Sequence, residues 1–135
     1  MARHEACHIV AALALGFPAS GCLSGEPGRE GKTDWDKNDE ANNEEVIEVA
    51  VAAYVDEVDF LRLPEEHCRM RSGDDMRDID EILKKYKKSQ RTRIKDRCES
   101  DVANILHANR SKIDEIAADI LNGKKITYFP EFLKE

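Results

Sequence analysis

His4-Glu5-Ala6-Cys7-His8-Ile9-Val10-Ala11-Ala12-Leu13-Ala14-Leu15-Gly16 is the stretch from which the rest of the chain can be read. Alanine and leucine favour helix, and Ile9, Ala12, Leu13 and Gly16 recur at helical spacing on one side, so a buried helix is expected here. Gly16 can leave the helix in a left-handed conformation and Pro18 bars its resumption, which ends the helix near residue 16. On such a helix His4 and His8, four residues apart, reach the same face and can share a metal ion. Glu5 then lies beside that ion, where a carboxylate can take a proton from a water that zinc has made acidic.

Residues 17–43 change character, being rich in Gly, Pro, Asp, Asn and Glu without apolar periodicity, and read as a long polar loop. A second helix is expected from about Glu44 to Leu63 through Ile47, Val51, Tyr54, Val55, Val58 and Leu61, with Pro64 closing it. Ser72 is placed to cap a third, from about Gly73 to Ser89, whose early aspartates and late lysines complement the helix dipole. Two more follow, Arg91 to Ala108 and Ser111 to Asn122, the last ended by Gly123. The tail from Ile126 is apolar enough to pack back on the core as a short extended segment. The fold class expected is mostly α: one domain over residues 1–135, a compact bundle of about five helices with a long loop after the first.

Composition narrows the function. The chain has 135 residues, 41% hydrophobic and 36% charged, which suits a single globular domain able to bury a core without a metal or disulfides. With 21 basic against 28 acidic residues the net charge is -7, the wrong sign for a surface that tracks phosphates, so nucleic acid is not expected as a partner. The basic run from Lys84 to Arg97 reads as a solvated helix end and connector. Cys7, Cys22, Cys68 and Cys98 are scattered with no CxxC pair, which fits reduced thiols in a cytoplasmic protein. The apolar stretch from Ile9 to Phe17 is too short to span a bilayer. A rival reading takes the first residues as a lipoprotein leader ending before Cys22, but Glu5 and two histidines occupy what should be its basic and apolar parts.

A catalytic zinc needs a third protein ligand and an open position. Asp74, Asp75, Asp78, His67 and several glutamates are available, and periodicity does not choose among them. His67 and His107 have no ligand partner at helical spacing, and Trp35 stands alone in the acidic loop; each reads as structural or exposed. No serine or cysteine has the surroundings of a covalent nucleophile.

HEACHIVAALALG resembles the HEAGHAxVAxxLG helix of the FtsH-type zinc metalloproteases. Glu45 to Leu61, with AAYVDE at its centre, resembles that family's AGxxAEE helix. Ser72-Gly73-Asp74-Asp75-Met76 resembles its GASxDL segment, and ANRSKIDEIAADILNGKKIT its closing NRxxLxxIAxxLLxxExL. The resemblance implies an FtsH peptidase-like fold, with His4 and His8 as zinc ligands, Glu5 as catalytic base and Asp75 as third ligand, Asp74 being the alternative one residue away. Glu57 matches the second glutamate of AEE and would support the site from behind.

Three departures accompany it. Cys7 stands where the family has a small glycine, and reads as a buried thiol. The loop 17–43 lies where the family carries strands that hold substrate as an added strand. The family's upstream ATPase has no room in this chain, and Gly25 to Thr33 is not a phosphate loop, because Glu26 occupies a required position. The expectation is therefore a stand-alone zinc peptidase acting on peptides or unfolded protein, served by a separate ATPase or a homo-oligomer. The alternative is a non-catalytic helical binding or regulatory protein that keeps the fold.

Overall fold

The computed structural model describes residues 2–23, 32–35 and 42–135. Helix α1 spans Ala2–Ala14, and every residue from His4 to Leu13 is buried. A helix that is apolar nearly all round has no face to give to solvent. It accordingly runs through the middle of the molecule, against α2 (Asn43–Asp59), α5 (Arg91–Ala108), α6 (Arg110–Leu121) and a small sheet. It stops where expected: Gly16 takes φ +96, and the amide of Phe17 returns to Ala12 O at 2.9 Å.

Helix α2 begins with a reciprocal cap. Asn42 Oδ1 accepts from the Glu45 amide at 2.9 Å, and Glu45 Oε1 accepts from the Asn42 amide at 3.0 Å. It ends at Asp59, short of the expected Leu63, because the chain turns at Phe60 and Arg62 adopts a left-handed φ of 53. The connector that follows holds an additional helix, α3 (Glu65–Arg71), giving six α-helices among the described residues where about five were expected.

Helix α4 covers Gly73–Leu83, ending well before Ser89. Beyond Leu83 the chain offers four lysines and only Tyr86 to bury, so continued helix would gather like charge without gaining core. Arg91 closes the resulting turn by donating from Nε to Tyr86 O at 3.2 Å. Ser72 occupies the position before α4, but its hydroxyl makes no capping bond and is buried without a hydrogen-bond partner among the described residues.

The long loop expected over residues 17–43 is corrected in part. Ala19–Cys22 forms β1 and Lys32–Trp35 forms β2, and with β3 (Thr127–Tyr128) they make an antiparallel sheet in the order β2-β1-β3. Ala19 lies opposite both Trp35 and Tyr128. The apolar tail thus does pack back as a short extended segment. Trp35 is half-buried, edge to face with Phe17 at 5.3 Å between centroids. Most of the stretch from Gly25 to Thr33 weighed as a phosphate loop lies outside the described residues; Lys32 and Thr33 belong to β2. Among the described residues no helix is long and apolar enough to cross a membrane.

One core joins these elements. Ile9, Val10 and Leu13 of α1 pack with Ile47 and Val51 of α2, Ile79 of α4, Val102 and Leu106 of α5, and Ile113 and Ile116 of α6.

Candidate metal centre

The i and i+4 spacing on α1 places His4 and His8 edge to face, with their Nε2 atoms 3.2 Å apart. Asp75, in the first turn of α4, completes a triangle: its Oδ2 lies 3.4 Å from His4 Nε2 and 3.2 Å from His8 Nε2. Metal–nitrogen bonds of about 2.0–2.1 Å at tetrahedral angles separate neighbouring ligand atoms by roughly 3.3 Å. The three donors therefore already have the mutual spacing of three corners of a zinc tetrahedron. Three atoms with lone pairs at this range repel unless a cation, a metal ion or a proton, stands among them.

The histidines are oriented from behind. His8 Nδ1 lies 2.7 Å from Val49 O, a carbonyl that only accepts, so Nδ1 carries the hydrogen and Nε2 presents its lone pair to the cluster. His4 Nδ1 faces Glu57 Oε1 at 3.8 Å, beyond hydrogen-bond length. Both histidines are nearly enclosed, His4 8% and His8 6% exposed. The Asp75 side chain, at 26%, is the most exposed of the three.

Glu5 is 5% exposed and directs Oε1 to within 3.9 Å of His4 Nε2. Its other oxygen accepts from Thr33 Oγ1 at 2.5 Å. Thr33 belongs to β2, so the sheet holds this carboxylate in place.

Electrostatics follow from the crowding. Burial works against a charged His8, but the hydrogen bond to Asp75 and the charges of Asp75 and Glu5 outweigh it, and the imidazole holds a proton to higher pH than usual. Burial likewise opposes an ionised Asp75, yet the two imidazoles hold its carboxyl well below the ordinary carboxylate range. This is an anionic pocket that favours a cation.

Of the residues expected from sequence, His4, Glu5, His8 and Asp75 come together, and His4, His8 and Asp75 form the one cluster of metal-ligand type among the described residues. Asp74 does not join: its side chain is 95% exposed and pairs with Arg77 at 3.4 Å. Asp78 and His67 are exposed and stand apart, and His107 stacks on Phe60 at 5.9 Å. Glu57 backs His4. A cleft of about 420 Å³ on the sheet, lined by Pro18, Ser20, Asp34, Trp35, Thr127 and Phe129 among others, shares no residue with the cluster.

Sequence reasoning missed Thr33 and the Val49 carbonyl. Nothing in the polar stretch around Thr33 marks it, and a main-chain acceptor leaves no trace in residue type. Comparison with known protein families, characterised proteins and solved structures gives no match for this chain.

Proposed function

We propose that the chain is a zinc-dependent peptidase that hydrolyses peptide bonds in short or unfolded polypeptides, with an FtsH-like arrangement of its site. The observation that carries this reading is the triangle of His4 Nε2, His8 Nε2 and Asp75 Oδ2, 3.2 to 3.4 Å on a side, with a glutamate turned toward it. Two histidines and a carboxylate leave a fourth position open, as a catalytic zinc requires. A bound zinc supplies Lewis acidity, making water acidic and polarising a peptide carbonyl.

The chain's own groups do the rest. His4, His8 and Asp75 hold the ion. Thr33 fixes Oε2 of Glu5 and leaves Oε1 facing the site. Glu5 takes the proton of the attacking water and passes it to the amine released when the C–N bond breaks. Enclosure strengthens each of these interactions by lowering the local dielectric. The family resemblance would add a homo-oligomer, or a separate ATPase that delivers unfolded chains to the site.

The enclosure of His4, Glu5 and His8 favours a second reading, in which the metal is a structural staple of a binding or regulatory protein. Glu5→Gln separates the two. An enzyme keeps its zinc and loses metal-dependent peptide hydrolysis by about 10²–10⁴-fold. A staple binds zinc with or without the substitution and hydrolyses nothing.

A further inference from the structure

One position away from the metal ligands, α1 grips α2 through a second set of side chains. Arg3 donates from Nε and Nη2 to the two oxygens of Asp56 at 2.8 and 2.9 Å. Asp56 is 1% exposed. Arg3 precedes His4 by one residue, so it leaves α1 turned by about 100° from the row of His4 and His8.

We propose that Arg3 and Asp56 are positioning residues of the metal centre, fixing the rotation of α1 about its axis and so aiming His4 and His8 at Asp75. This rests on the metal reading above.

The partners on α2 keep the same order. Asp56 receives Arg3, while the next residue, Glu57, faces His4 Nδ1, and Val49 takes His8 Nδ1. A donor atom about 6 Å from a helix axis moves by about 1 Å for a rotation of about 10°. Metal–ligand distances tolerate about 0.2 Å. A few degrees of helix roll therefore exceed the tolerance, and a two-pronged guanidinium on a buried carboxylate is a fitting stop, because its planar geometry admits one orientation.

The third contact of Arg3 differs in kind: Nη1 reaches Asp114 at 2.9 Å, and the Asp114 side chain is 70% exposed.

The test is the zinc affinity of the full chain, measured by competition with a chelator, for the wild type and for Arg3→Lys, Asp56→Asn and Asp114→Asn, with helical content followed by circular dichroism. Arg3→Lys keeps the charge and loses the fork; Asp56→Asn keeps the shape of the partner, loses one of its two acceptor oxygens, and serves as the second variant if Arg3→Lys does not fold. Both are expected to weaken zinc binding about 10–100-fold with helicity retained, as loss of an orienting partner does. Asp114→Asn is expected to bind as the wild type. The visible spectrum of the cobalt-loaded form should change in Arg3→Lys, a signature that a purely structural contact would not move. Wild-type affinity and spectrum in both Arg3→Lys and Asp56→Asn overturn the clamp and leave the metal reading standing. No zinc binding by the wild type overturns the metal reading and the clamp with it.

Discussion

Two neighbouring aspartates at the start of α4 meet different fates because one residue of helix turns a side chain through about 100°. Asp75 faces the two imidazoles, while Asp74 faces solvent. Asp75→Ala should therefore weaken zinc binding more than about a hundredfold, beyond what loss of an outer hydrogen-bond partner costs, whereas Asp74→Ala should leave it unchanged. The same chelator competition reads both, and the reverse result would place the ligand one residue earlier. The sequence shows this site unevenly. His4, Glu5 and His8 are legible because four-residue spacing on a helix has one geometric meaning. Asp75 is reached only through the family resemblance, since periodicity left several acids and His67 equally available. Thr33 is 28 residues from Glu5 in the chain, and no local pattern encodes a contact of that kind.

Among the elements, the last two helices could be read from sequence to within a residue: α5 covers Arg91–Ala108 as expected, and α6 differs by one residue at each end, whereas α2 stops four residues before the expected Leu63. The strands could not. Ala-Ser-Gly-Cys and Lys-Thr-Asp-Trp are four residues each, without alternation, and exist because β1 is paired on both edges and packs on α1. The polar composition of residues 17–43 reads as a long loop, a departure from a family that carries strands there.

The α2–α5 contact carries a testable electrostatic consequence. Burial, the charge of Asp101 and a hydrogen bond to it push the Glu48 carboxyl from 4.5 up to about 7, with Glu45 adding to the effect. A carboxyl that holds its proton more tightly in the folded chain lowers stability as pH rises from about 4.5 through about 7. Glu48→Gln removes that group. Urea midpoints at pH 5 and pH 8 should show the substituted chain gaining on the wild type at the higher pH, and an equal difference at both would contradict the assignment.

At the scale of the whole molecule, the candidate site is built into the core itself. The helix that carries both histidines is also the central packing element, bearing Ile9, Val10 and Leu13, and it is held by α2 on one side and the sheet on another. A core of this extent buries its apolar groups without help from an ion, so packing alone preorganises the three candidate ligands. That arrangement also explains why length and composition alone said little about function: neither the fraction of apolar residues nor the net charge registers three donors converging on one point.

The most direct test of the central claim is the metal content of the purified, untagged chain by elemental mass spectrometry, beside His4→Ala and His8→Ala. The account predicts about one zinc per wild-type chain, as a single site with three protein ligands requires, and its loss from both substituted chains. A wild-type chain that carries no zinc and takes up none when it is added would contradict it.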